Sequence, residues 1–123
     1  MEALLINGTL KTPTIVFNTD GNLIIKGKSI PESVFRLYAP AILWLEEFAA
    51  EYVTFNVDLE YINSASKVML LELFRVLEAN TNVKNIVLNW HYDKDDEDIY
   101  DTGKIFEESL IRSRFTYVAY IAS

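Results

Sequence analysis

Two early segments, Thr12 to Asn18 and Leu23 to Lys28, are rich in β-formers and flank Asp20-Gly21-Asn22. Asp-Gly tolerates the positive φ of a tight turn, so the pair reads as a hairpin. The period then lengthens. Apolar residues at Val34, Leu37, Tyr38, Ile42, Leu45 and Phe48 recur at helical spacing. The helix is expected to start near Ser29-Ile30-Pro31-Glu32, with Pro in the first turn and Glu32 at the positive end of the dipole. Pro40 falls inside the pattern, removes an amide donor and is expected to kink or split the helix.

From Val53 to Leu59 strict alternation returns: Val53, Phe55, Val57 and Leu59 against Thr54, Asn56 and Asp58, a half-buried strand. Met69, Leu70, Leu73, Phe74 and Leu77 then form one stripe of a helix over Ser64 to Ala79. Asn85 to Tyr92 reads as another strand. Asp95 to Arg112 reads as a third helix, acidic at its start, with Arg112 and Arg114 at its end as the dipole favours, and Ile99, Phe106 and Leu110 on its buried face. Phe115 to Ile121 closes the chain as a strand. The resulting order, ββαβαβαβ, predicts an α/β fold with a central mixed, mostly parallel sheet packed by helices through right-handed crossovers. At 123 residues the whole chain is expected to form a single domain, 1–123.

Composition narrows the function classes. Half the residues are hydrophobic, the net charge is −7 and cysteine is absent, which excludes disulfides, thiolate metal sites and a cysteine nucleophile. A chain without cysteine suits a cytoplasmic location. The first residues lack a basic flank and an apolar core of export length, so no signal peptide is expected. The longest apolar stretch, Tyr38 to Leu45, is interrupted by Pro40, so no membrane insertion is expected. Nucleic-acid binders gain most of their affinity by neutralising phosphates, whereas the basic residues here are few and scattered.

The candidate chemistry is sparse. Gly8, Gly21, Gly27 and Gly103 are dispersed, so neither a P-loop nor a dinucleotide fingerprint can be written. His91 is the one histidine and no Gly-x-Ser-x-Gly accompanies it. The run Asp93-Lys94-Asp95-Asp96-Glu97-Asp98 invites a calcium reading, but the EF-hand pattern fails where Asp98 replaces Gly and Lys104 replaces Glu. Helix capping accounts for these acids. A small hydrolase or metal-dependent enzyme using His91 and the acidic run is the alternative; the favoured reading has no cofactor and no metal and is a monomer. The segment Tyr61-Ile62-Asn63-Ser64-Ala65-Ser66-Lys67 joins a buried strand to a buried helix, and Asn63 or Ser64 caps that helix. A phosphate on a serine there would lie over free amides at the positive end of the dipole, with Lys67 one turn on.

At these residues the chain resembles the SiaC family of bacterial regulatory phosphoproteins. The resemblance includes Thr12-Pro13, Gly27-Lys28-Ser29-Ile30-Pro31-Glu32, Trp44-Leu45, Tyr61 to Lys67 and Trp90-His91-Tyr92-Asp93. It implies a STAS-like (anti-anti-sigma-factor-like) domain that is not an enzyme and works in a partner-switching circuit. The resemblance implies that a histidine-kinase-like Ser/Thr protein kinase would phosphorylate the helix start, that a PP2C-type phosphatase would reverse this, and that the unmodified form would bind an effector such as a diguanylate cyclase. The family's phosphoacceptor, usually Thr after Asn, falls on Ser64, with Ser66 as the alternative. Tyr61, Asn63 and Lys67 would support the helix start and the interface. Two departures are Ala65, often Ser in the family, and Ser33, where Asn usually follows Pro-Glu.

Overall fold

A computed structural model describes residues 1–122. Its elements are β1 (Leu4–Ile6), β2 (Thr14–Phe17), β3 (Asn22–Ser29), α1 (Val34–Glu47), β4 (Tyr52–Ile62), α2 (Ser64–Ala79), β5 (Asn85–Asp93), α3 (Glu97–Ser109) and β6 (Ser113–Tyr120). The strands lie in sequence order, β1-β2-β3-β4-β5-β6. The first three are antiparallel neighbours and the last four are parallel. The expected mixed, mostly parallel α/β sheet is therefore present, with one strand more than ββαβαβαβ allowed. Three residues are too few to show alternation, so β1 is invisible as a pattern; it forms because β2 offers it a partner.

Each parallel crossover advances one strand in the same direction, and right-handed crossovers then place α1, α2 and α3 on one face. Burial agrees. Val53, Phe55, Val57, Ile86, Leu88 and Trp90 are buried, while their alternates Thr54, Asn56, Asp58, Val87, Asn89 and His91 are half-exposed or exposed. The covered side holds an aromatic chain across the whole core. Trp44, Phe17, Phe55, Phe74, Phe106 and Trp90 follow one another at centroid separations of 5.5 Å, most of them edge to face.

Local chemistry corrects three expected boundaries. α1 starts after Ser33, whose side chain accepts from the Arg36 amide, and not near Ser29 to Glu32. Ser29 instead ends β3 and is buried, in phase with Leu23 and Ile25. Pro40 neither splits nor ends α1. It lies on the exposed side of the helix, where a carbonyl left without an amide donor costs least because it need not be buried. The third helix is shorter than expected, with Asp96 as its cap, accepting from the Ile99 amide at 3.0 Å.

Arg112 does not serve the end of α3. Its guanidinium donates to the carbonyls of Glu78 at the end of α2 and of Asn80 and Val83 in the turn that follows. The Glu78 carboxylate in turn accepts from the amides of Ile111, Arg112 and Ser113 and from the Ser113 hydroxyl. Partial burial pushes the Glu78 carboxyl up, but these donors outweigh it and hold the group below its ordinary 4.5. A depressed carboxyl pKa adds stability that is full above the ordinary value and is lost as pH falls through the folded one. Glu78→Gln is therefore expected to lower the melting temperature at neutral pH, with the gap to the parent closing on acidification below about 4.5. A gap constant from neutral to acid pH would remove the carboxylate's charge from the account.

Candidate functional site

The parallel strands β3, β4 and β5 end at one rim of the sheet, and the helix following each starts there. Open α/β sheets bind ligands and partners at this carboxyl rim. Two devices shape it around the start of α2. First, the β3–β4 register slips between Gly27↔Leu59 and Lys28↔Tyr61, leaving Glu60 as an unpaired bulge residue. The bulge reverses the in–out phase of β4. Leu59 and Ile62 both face the core, whereas Tyr61 is exposed. Gly27 sits opposite the slip with φ +128, a conformation favouring glycine.

Second, Asn63 locks the turn. Its amide donates to the Ser29 carbonyl, its Oδ1 accepts from the Ser66 amide at 2.8 Å and its carbonyl accepts from Lys67. Asn63, and not Ser64, is thus the cap. Asn63→Ala is expected to cost about 1 kcal/mol, read as a shift of the urea midpoint at unchanged slope. A midpoint equal to the parent's would rule the cap out as a stabilising feature.

The two serines expected as alternatives sit in opposite environments. Ser64, the first residue of α2, is exposed, and its amide and that of Ala65 are among those a helix start leaves without an intrahelical acceptor. Ser66 is 0% exposed. Its hydroxyl donates to the Ser29 carbonyl at 3.0 Å and accepts from the Ser29 hydroxyl at 2.7 Å. Ser29 has one proton and gives it to Ser66, so the Tyr38 hydroxyl must be the donor in its contact with Ser29. The order is Tyr38 to Ser29 to Ser66 to backbone. Burial pushes the Tyr38 phenol up to about 12, so it stays protonated in that role. The sequence pattern places Ser29 near a helix start and Tyr38 on a helix's apolar face, and gives neither a part in the site. The phase of β3 was the available signal for Ser29, since odd positions from Leu23 point inward.

Beside this helix start runs an open groove of about 410 Å³ between the ends of β4, α2 and α3. Glu60, Asp96, Asp98 and Asp101 line it against the one cation Lys67, with Tyr61 and Ile105 exposed at its margins. The acidic run is thus divided among local tasks. Asp93 Oδ1 accepts from the Asp95 amide, Asp96 caps α3, and Glu97 and Asp98 form its first turn. Among the described residues no three His, Asp or Glu side chains are grouped to hold a metal. His91 lies on the uncovered face of the sheet, with Nε2 2.9 Å from Asn56 Oδ1. Asn56 Oδ1 also accepts from the Asn89 amide group at 3.1 Å. That contact engages His91 with a carboxamide, not a hydroxyl nucleophile. No helix of the described residues is long and apolar enough to cross a membrane.

Residues 6–120 match the family model described as SiaC family regulatory phosphoprotein. An uncharacterised protein of Pseudomonas aeruginosa (strain UCBPP-PA14) is 31% identical over an alignment of 113 residues, and the match covers 88% of this chain and 90% of that protein. The crystal structure of the diguanylate cyclase SiaD in complex with its activator SiaC, from Pseudomonas aeruginosa, is similar with a TM-score of 0.80 and 27% identity, over 95% of this chain and 99% of the matched chain. The crystal structure of apo-SiaC from the same organism gives a TM-score of 0.78 and 28% identity, over 97% of this chain and 100% of the other.

Proposed function

Because this chain belongs to the SiaC family of regulatory phosphoproteins, we propose that it is a cytoplasmic, non-enzymatic binding module whose partner is chosen by the phosphorylation of Ser64. One observation carries the assignment: Ser64 is exposed at the first position of α2, while Ser66 is buried with its hydroxyl engaged as donor and acceptor. A kinase must reach the hydroxyl and later release a bulky dianion. At Ser66 that would break the hydroxyl chain and force charge into the core, where an unpaired charge is costly. At Ser64 the phosphate projects into solvent over the α2 dipole, within reach of the flexible Lys67 side chain one turn on.

In the proposed cycle a Ser/Thr kinase adds the phosphate and a PP2C-type phosphatase removes it. The unmodified form binds an effector, of which a diguanylate cyclase is the best supported because a SiaC relative is the activator of one. Tyr61 and the rim of α2 form the contact surface, Asn63 holds the helix start in place and Lys67 steadies the phosphate. Fragment mass spectrometry after treatment with the cognate kinase is the direct test. All phosphate is expected on Ser64 and none after Ser64→Ala. Phosphate on Ser66 of a folded protein would overturn the assignment.

A further inference from the structure

The two edges of the sheet are finished differently. β1 is three residues long, and the chain just before it is held by Trp44, whose Nε1 donates to the Glu2 carbonyl at 2.8 Å. β6 is eight residues long, and among the described residues only β5 pairs with it. Proteins blunt exposed edges of such length with proline, lysine, a bulge or a covering element. Ser113-Arg114-Phe115-Thr116-Tyr117-Val118-Ala119-Tyr120 has no proline and no lysine, and Arg114 is its one charge. Its register against β5 runs unbroken from Ile86↔Ser113 to Asp93↔Tyr120, so no bulge turns the edge away. A straight row of outward amides and carbonyls results.

We propose that β6 is a homodimer interface, pairing antiparallel with β6 of a second copy of this chain about a two-fold axis at Thr116. Two sheets then become one continuous sheet. The sequence of the edge suits itself in this register. Thr116 faces the second copy's Thr116, Phe115 faces the second copy's Tyr117, and Arg114 faces the second copy's Val118. Every opposed pair lies on the same face of the joined sheet, as antiparallel geometry requires. Two aromatic pairs flank the axis and no like charges oppose each other, the arrangement that favours cross-strand pairing. Phe115 and Tyr117 are half-buried neighbours, 6.1 Å apart by ring centroid.

Lys104 and Glu107, beside the edge, are held within each copy. Lys104 Nζ lies 4.4 Å from the Tyr117 ring centroid, and Glu107 accepts from the Tyr117 hydroxyl at 2.8 Å. Lys104 Nζ also lies 3.4 Å from Glu107 Oε1 in the same copy, so the margin carries an internally paired acid and base. The remaining opposition is the long-range repulsion of two chains of net charge −7, which salt screens. This proposal revises the monomer expected from sequence and is independent of the role given to Ser64.

Sedimentation equilibrium of the full chain, from micromolar to millimolar concentration and at two salt concentrations, provides the test. A monomer–dimer equilibrium that tightens with salt is expected. Thr116 is exposed, so Thr116→Glu and Thr116→Lys are expected to keep the parent's circular dichroism and melting temperature. Each places like charges opposite one another at the axis and is expected to weaken the dimer roughly tenfold or more. An equimolar mixture of the two variants is expected to dimerise again, because the opposed charges now attract. A parent that stays monomeric to millimolar concentration overturns the proposal. So does a dimer that survives in both variants, or a mixture no tighter than its components, as an edge used for a different partner's strand would give.

Discussion

Phosphorylation of Ser64 is expected to weaken effector binding by about a hundredfold or more, roughly 2.7 kcal/mol, while the fold keeps its melting temperature or gains slightly. The two effects differ because the same charge meets two environments. In the free protein the dianion is solvated, lies at the positive end of α2 and has Lys67 one turn on; an exposed charge at a helix start is worth about 0.3–1 kcal/mol. The carboxylates of Glu60, Asp96, Asp98 and Asp101 along the adjoining groove offset part of this. Their effect is screened at the open surface. At a protein interface the phosphate has to be stripped of water, which costs several kcal/mol unless new partners replace it. Burial therefore decides the outcome. Ser64→Ala is expected to bind as the unmodified protein does whatever the kinase does, and Ser64→Asp to lose affinity only in part, since a carboxylate carries less charge and fewer acceptor oxygens. Calorimetric titration of a diguanylate cyclase partner with each form measures this. Equal affinities for phosphorylated and unmodified protein would sink the switch.

Trp90→Ala is expected to lower stability by about 3–5 kcal/mol, a large share of the 5–15 kcal/mol typical of a domain. Trp90 is 1% exposed, ends the aromatic chain against Phe106 and donates from Nε1 to the Ile99 carbonyl at 2.9 Å. Its removal leaves a cavity under α3 that helix backbone cannot fill. The same contact explains Gly103, whose added Cβ would lie 2.6 Å from Trp90 Nε1. Alanine at Gly103 gains about 1 kcal/mol of helix propensity, but the overlap with a fully packed indole costs more, about 1–3 kcal/mol. Gly103→Ala alone is therefore expected to destabilise. In the Trp90→Ala background, with the indole gone, it is expected to stabilise. Urea melts followed by circular dichroism give the cycle, and additive effects of the two substitutions would show that Gly103 is not there to admit the indole.

Where the molecule was legible from sequence, one face of an element is buried along its length. The alternation Val53, Phe55, Val57, Leu59 and the stripe Leu70, Leu73, Phe74, Leu77 translate directly into β4 and α2, because burial of a single face imposes the period of the backbone itself. The turn at Gly21, with φ +100, was legible for a related reason: few residues accept that conformation. Element ends were less legible. The helix expected to start near Ser29 to Glu32 starts after Ser33 instead, and packing decides this: Ser29 faces inward from β3 and meets Tyr38 and Ser66. Arg112 likewise looks like a cation at the end of its own helix, yet it serves carbonyls at the end of α2 and in the turn after it.

The candidate site divides in the same way. Sequence by itself determined the class of fold, the helix that begins after Asn63 and the presence of two candidate hydroxyls, Ser64 and Ser66, because caps and amphipathic periods act over a few residues. Tertiary structure alone decided which hydroxyl meets solvent. The bulge at Glu60 sets the phase in which β4 enters α2, and Ser29 and Tyr38, contributed by β3 and α1, close over Ser66 and leave Ser64 outside. It also decided that one sheet face stays open and that β6 ends the sheet with its hydrogen-bonding edge unprotected. Exposure is a property of everything that packs against a residue, and those neighbours come from segments whose meeting no local pattern records.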